Sequence, residues 1–249
     1  MKSIEKKLFN KLSYIKNGVL FLLLSCLPLQ SFSANPGSIG VGLNATRLIY
    51  IQGEDSVSIG ARNNTKINYL AKFSVSKYPD GRASTTPFSV TPPLIKIDSN
   101  NIQDVRVYAL PSALPTDRES IFYFSATMIP SRNGPIDGSA LNIGYNNVIK
   151  LFYRPANLSM SVSDAHKNLE ITRSSTGITV TNNSPYYISL SKLSVNGVKI
   201  DLSMKKRNTM ISPFDSFSYI TPESGRKGMA KWTVINDLGG EDVYSEQIK

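Results

Sequence analysis

Short apolar stretches with a period of two, interrupted by turn residues about every ten positions, recur along most of this 249-residue chain. Val57, Ile59 and Ala61 alternate with their neighbours until Asn63-Asn64-Thr65 breaks the run. Ala71, Phe73 and Val75 do the same before Pro79-Asp80-Gly81, followed by Val105, Val107 and Ala109, then Phe122, Phe124, Ala126 and Met128. A period of two places every second side chain on one face, which is the signature of a half-buried strand. No window of twelve or more residues carries a 3.6-residue apolar stripe. Strands of this length at this spacing predict an all-β chain built as sandwiches.

A boundary is predicted just after Arg154-Pro155-Ala156, because proline cannot donate to a ladder and ends the long run before it. Beyond it the alternation restarts with Leu169 and Ile171, Ile178 and Val180, and Ile188 and Leu190. Asn196-Gly197 reads as the tip of a hairpin, since both residues tolerate positive φ. Trp232 and Val234 share a face before Gly239-Gly240. Residues 34–156 and 157–249 are thus expected to form two sandwiches, and no sequence repeat relates the halves.

The N-terminus reads as a secretory signal. Lys2, Lys6, Lys7, Lys11 and Lys16 precede the apolar run Val19–Leu24, which continues to Leu29, and Ser31 and Ser33 follow as a small-x-small exit. The core is too short to cross about 30 Å of hydrocarbon at about 1.5 Å per residue. Cleavage is expected after Ser33, with Ala34 as the alternative. Leu23-Leu24-Ser25-Cys26 also resembles a lipoprotein site, with Leu24 a poor fit. Removing residues 1–33 leaves 23 basic and 17 acidic residues, so the net charge falls from +10 to +6. It also removes Cys26, the only cysteine. The exported chain is mildly basic, lacks the cationic blocks of a nucleic-acid binder, and has no disulfide to stabilise it.

Catalytic tools are sparse. The single histidine, His166, lies in the polar stretch Ser163–Lys167 and reads as a solvated imidazole on a surface loop. One histidine and no mature cysteine fit neither a zinc site nor a histidine-based triad. There is no nucleophile elbow or phosphate loop, and Gly37, Gly40 and Gly42 have the wrong spacing for a dinucleotide fingerprint. No enzyme activity, cofactor or metal is expected. Asn44, Asn63, Asn157 and Asn182 begin Asn-x-Ser/Thr triplets, which read as chance products of a chain rich in these residues.

Several separated motifs resemble one family, the PapD-like periplasmic pilus chaperones. They are Gly42–Arg47, Thr91-Pro92-Pro93-Leu94, Leu114–Phe124, Ile149–Pro155 and Trp232–Gly240. The resemblance implies two immunoglobulin-like sandwiches set at an angle, with a pilus subunit bound one-to-one in and beside the cleft. It implies that Arg47 and Lys150 anchor the subunit's C-terminal carboxylate, work that suits a bidentate guanidinium and an ammonium. It assigns Leu141, Ile143 and Tyr145 to an edge strand that completes the subunit's sheet, and Glu119, Arg154 and Asp237 to an ion network between the domains. Tyr145 is larger and more polar than the aliphatic residue expected there. Lys150 is out of phase with the three edge residues, which calls for a bulge, a twist, or a carboxylate held off the strand's end. The ten-residue loop Ser131–Ala140 resembles the family branch serving rod-like pili.

The implied setting is the periplasm, with handover to an outer-membrane usher and no membrane insertion of the mature chain. Self-association through edge strands is left open. A secreted adhesin or pilus subunit is the alternative, disfavoured by the absence of mature cysteines. A sandwich-based hydrolase is another, with no substrate indicated.

Overall fold

A computed structural model describes residues 40–131 and 143–248. The predicted signal segment, Leu141 and nearly all of the Ser131–Ala140 loop lie outside the described residues. Among the described residues the first sandwich contains nine strands: β1 (Val41–Leu43), β2 (Arg47–Ile51), β3 (Val57–Asn63), β4 (Tyr69–Ser76), β5 (Phe88–Thr91), β6 (Leu94–Ile97), β7 (Asn101–Ala109), β8 (Ser120–Pro130) and β9 (Tyr145–Arg154). They form a four-stranded sheet, β1-β3-β7-β5, facing a five-stranded one, β2-β9-β8-β4-β6. The alternating residues fill the space between them: Ile59, Phe73, Val105, Val107, Phe122, Phe124 and Leu151 belong to one buried cluster.

Every connection between successive strands in this domain changes sheet except β8–β9, and two of these crossings are made by short corners. Between β5 and β6 it crosses at Pro92-Pro93, with a cis Thr91–Pro92 peptide. Between β1 and β2 it crosses at Asn44-Ala45-Thr46. Asn44 fixes that corner, its backbone N–H donating to Gly60 O at 2.9 Å and its Oδ1 accepting from Gly60 N at 2.9 Å. The crossing sends β2 alongside β9 as a parallel neighbour.

The second sandwich begins with a six-residue helix, α1 (Val162–Lys167), capped by Ser161. It continues with β10 (Glu170–Arg173), β11 (Gly177–Asn182), β12 (Ile188–Val195), β13 (Val198–Lys199), β14 (Met210–Ile211), β15 (Asp215–Ile220), β16 (Met229–Ile235) and β17 (Glu241–Gln247). β10-β11-β15 faces β13-β12-β16-β17, to which β14 is attached through β12. Asn196 and Gly197 have φ of 48° and 79° at the tip of the β12–β13 hairpin, as their residue types predict. Trp232 and Val234 are buried in this core with Leu169, Ile178, Val180 and Ile188.

His166 corrects its sequence reading. It is 4% exposed on α1, not in a solvated loop, and its carbonyl accepts from Trp232 Nε1 at 2.9 Å. Polar neighbours in sequence hide a helix turn that packs its last residues against the core. Burial lowers the imidazole pKa, opposed by the carboxylates of Asp237 and Asp242.

Candidate functional site: a cationic cleft at the end of an open strand edge

β9 has ten residues, and β8 pairs with the first nine, from Met128↔Tyr145 to Ser120↔Tyr153, without a register shift. On its other side β2 pairs only with the last five, starting at Arg47↔Lys150. The backbone edge from Tyr145 to Ile149 therefore has no partner strand within the described residues. Ile143 and Tyr145 are each 54% exposed beside it. An open edge with apolar side chains is a template for another strand.

The regular register also explains the phase of Lys150. Ile149 and Leu151 point into the first core, so Lys150 leaves β9 on the other face, away from Tyr145. No bulge intervenes. The edge residues and the lysine do not share a face; they are separated along the strand, and Lys150 stands where the open edge ends.

Lys150 and Arg47, opposite each other in register, line a cleft of ≈ 340 Å³ with Thr46, Tyr123, Met204 and Ile235. Lys150 Nζ donates to Ser189 Oγ at 3.1 Å, and Arg47 Nη1 donates to Ile235 O at 2.8 Å. Arg47 also lies 6.0 Å over the Phe152 ring, and its Nε is buried with no hydrogen-bond partner among the described residues. Neither cation has a carboxylate at ion-pair distance among the described residues. Glu241 lines the same cleft, but its Oε2 accepts from Lys192 at 2.7 Å. Burial, then the neighbouring Arg47, lowers the Lys150 pKa to about 8. Burial also lowers that of Arg47, against the pull of Asp237 and Glu119. Two desolvated cations side by side give the cleft an electrostatic character suited to an anion.

Beside the cleft, Arg154 joins three parts of the chain. Its Nε donates to Glu119 Oε1 at 2.7 Å, while Nη1 and Nη2 donate to Asp237 Oδ2 and Oδ1 at 2.7 and 2.9 Å. Its guanidinium lies 5.1 Å over the Tyr186 ring. Glu119, 3% exposed, also accepts from Tyr187 N at 2.9 Å through Oε2, and its backbone N–H donates to Pro185 O at 2.9 Å. Burial raises the Glu119 pKa against the opposing charge of Arg154. Asp237 is less enclosed, and there the hydrogen bonds and charge of Arg154 outweigh burial and lower the pKa. Asp237 reaches Arg154 because the Asn236–Gly240 turn projects between β16 and β17. In that turn Gly239 has φ +83°, and a Cβ there would come within 2.6 Å of Thr46 Oγ1.

The sequence named Arg47, Lys150, Glu119, Arg154 and Asp237, and the fold brings all five to this junction. Sequence reasoning missed Ser189, Tyr187 N–H and Ile235 O, the groups that hold them. The latter two are backbone groups with no residue-type signal; Ser189 carries only the weak one of a hydroxyl between the apolar Ile188 and Leu190.

Comparison with known proteins accords with this architecture. Residues 40–159 match the model of the pili and flagellar-assembly chaperone PapD N-terminal domain, and residues 164–246 that of the pili assembly chaperone PapD C-terminal domain. The chain is 34% identical over 229 residues to the probable fimbrial chaperone ElfD of Escherichia coli K12, covering 91% of this chain and 95% of that one. It is 32% identical over 206 residues to the E. coli chaperone FanE, covering 82% and 89%. Among solved structures, the E. coli chaperone DraB superposes with a TM-score of 0.70 at 29% identity, over 85% of this chain and 97% of that one. The Salmonella enterica complex of SafA pilin with the SafB chaperone gives 0.72 at 28% identity, over 85% and 97%. Two immunoglobulin-like sandwiches, matched in order by both halves of one family and by full-length relatives, make this chain a member of the PapD-like pilus assembly chaperones.

Proposed function

We propose that this chaperone holds a pilus subunit by its C-terminal carboxylate and lends it a strand. Arg47 and Lys150 receive the carboxylate, and the β9 edge, with Ile143 and Tyr145 and the preceding Leu141, completes the subunit's sheet. The observation that carries this reading is the coincidence of two features: the unpaired edge of β9 runs directly into the uncompensated cation pair. With its carboxylate at the Lys150 end, the subunit's last strand runs parallel to β9, continuing the direction of β2. Glu119, Arg154 and Asp237 act as the tie between residues 34–156 and 157–249. The cycle is one-to-one and driven by binding alone, with export by the N-terminal signal to the periplasm and release of the subunit to an outer-membrane usher. The family is one of chaperones rather than enzymes, and its relatives favour this role over that of an adhesin or pilus subunit.

The test is a pull-down from periplasm expressing the pilus genes, comparing tagged wild type with the Arg47→Ala/Lys150→Ala double variant. Retention of small secreted subunits by the wild type alone is expected. Equal retention by both would remove the carboxylate assignment and leave the strand edge as the binding element.

A further inference from the structure

Both proposed anchoring cations belong to the first sandwich, yet each is held by an acceptor from the second. Arg47 donates to the Ile235 carbonyl at the end of β16, and Lys150 donates to the Ser189 hydroxyl on β12. A backbone carbonyl is supplied by any residue, whereas the hydroxyl depends on serine. Ser189 is 2% exposed between Ile188 and Leu190, both buried, at the fully enclosed start of β12. A buried hydroxyl costs free energy unless bonded, so its use here calls for a specific partner. An ammonium can only donate, so the serine oxygen accepts and one of the three Lys150 N–H groups is fixed. The remaining two are left for the cleft.

We infer that Ser189 is a positioning residue: its hydroxyl, from the second domain, fixes the Lys150 ammonium of the first beside Arg47. The two-cation anchor is therefore fully assembled only while the sandwiches are docked. This inference rests on the anchoring reading and adds to it a dependence of client grip on the domain junction. Lysine has a long, rotatable stem, and without this acceptor its ammonium has other places to go. The charged and titratable groups around it are Arg47 on β2, Tyr123 opposite it on β8, and Glu241 across the cleft.

The experiment compares the wild type with Ser189→Ala and Ser189→Thr, the threonine keeping the acceptor. Nuclear magnetic resonance of isotope-labelled lysine follows the titration of Lys150. Fluorescence anisotropy follows binding of a labelled peptide of alternating valine and serine with a free C-terminal carboxylate, and of the same peptide amidated. For Ser189→Ala the Lys150 midpoint should fall by about one pH unit, and the free-carboxylate peptide should bind about tenfold more weakly. The amidated peptide should be unaffected, and Ser189→Thr should restore both values. An unchanged midpoint, unchanged carboxylate binding, or equal weakening of both peptides overturns the role of Ser189. If the Arg47→Ala/Lys150→Ala variant binds the carboxylate peptide as well as wild type, the anchoring reading itself fails; absence of wild-type binding removes both.

Discussion

At Lys150, folding and binding pull in opposite directions. Enclosure, then the charge of Arg47, lowers its pKa to about 8, whereas in the unfolded chain lysine titrates near 10.4. Between those values the unfolded chain binds the extra proton, so the stability of the free protein rises with pH across that window. On the proposed anchoring, grip on a carboxylate requires the ammonium and weakens over the same interval. Thermal melts and subunit pull-downs between about pH 7 and pH 10 should therefore move in opposite senses; parallel changes would contradict the assignment. Lys150→Met should abolish the slope and stabilise the free protein at neutral pH by about 1–2 kcal/mol, while losing carboxylate anchoring. Denaturant unfolding measures the first effect, and a destabilised variant would show that the cation contributes to folding. The lysine was legible from its motif; its protonation balance was not, because that depends on burial and on Arg47, distant in sequence and brought beside it by the fold.

Between elements, two asparagines do the same work in the two sandwiches. Asn63, at the end of β3, donates through Nδ2 to Ile67 O, Ile97 O and Asp98 O, and its Oδ1 accepts from the Thr65 N–H and hydroxyl. Asn182, at the end of β11, donates to Tyr186 O, Ile211 O and Ser212 O and accepts from the Ser184 N–H and hydroxyl. Each is a buried hub joining a strand end, the following turn and a distant strand. The Asn-x-Ser/Thr triplets at these positions are thus structural, not accidents of composition, and the halves share a local motif that no sequence repeat revealed. Period-two alternation exposed the strands because burial follows the pleat; it cannot show a polar side chain whose partners are carbonyls some thirty residues away. Asn63→Ala and Asn182→Ala should each cost about 2–4 kcal/mol in chemical unfolding, because several buried groups lose their partner at once. Asn157→Ala, at an exposed position, should change stability by no more than about 0.5 kcal/mol. Similar values for all three would remove the hub assignment.

For the whole molecule, the junction is centred on one guanidinium between a buried and a half-buried carboxylate, joined by the Arg47–Ile235, Lys150–Ser189 and Glu119–Tyr187 hydrogen bonds and by the close approach of Gly239 to Thr46. Arg154→Ala leaves Glu119 enclosed without its cation and should cost about 3–5 kcal/mol. Small-angle scattering should show a broadened spread of domain orientations with each sandwich still folded; an unchanged profile would mean that the remaining contacts suffice. Gly239→Ala combines an unfavourable φ with a clash at Thr46 and should loosen the same junction without touching a charge. The abrupt start of β2 beside Lys150 has a separate consequence for any strand laid along β9. On the proposed anchoring, that start acts as the zero mark of a ruler: positions on the guest are counted back from its last residue, not forward from its first. Because a slip of one residue turns every side chain to the opposite face, a guest lengthened by a single C-terminal residue would present the wrong row to Ile143 and Tyr145. Correct alignment is thereby written into where the guest chain stops.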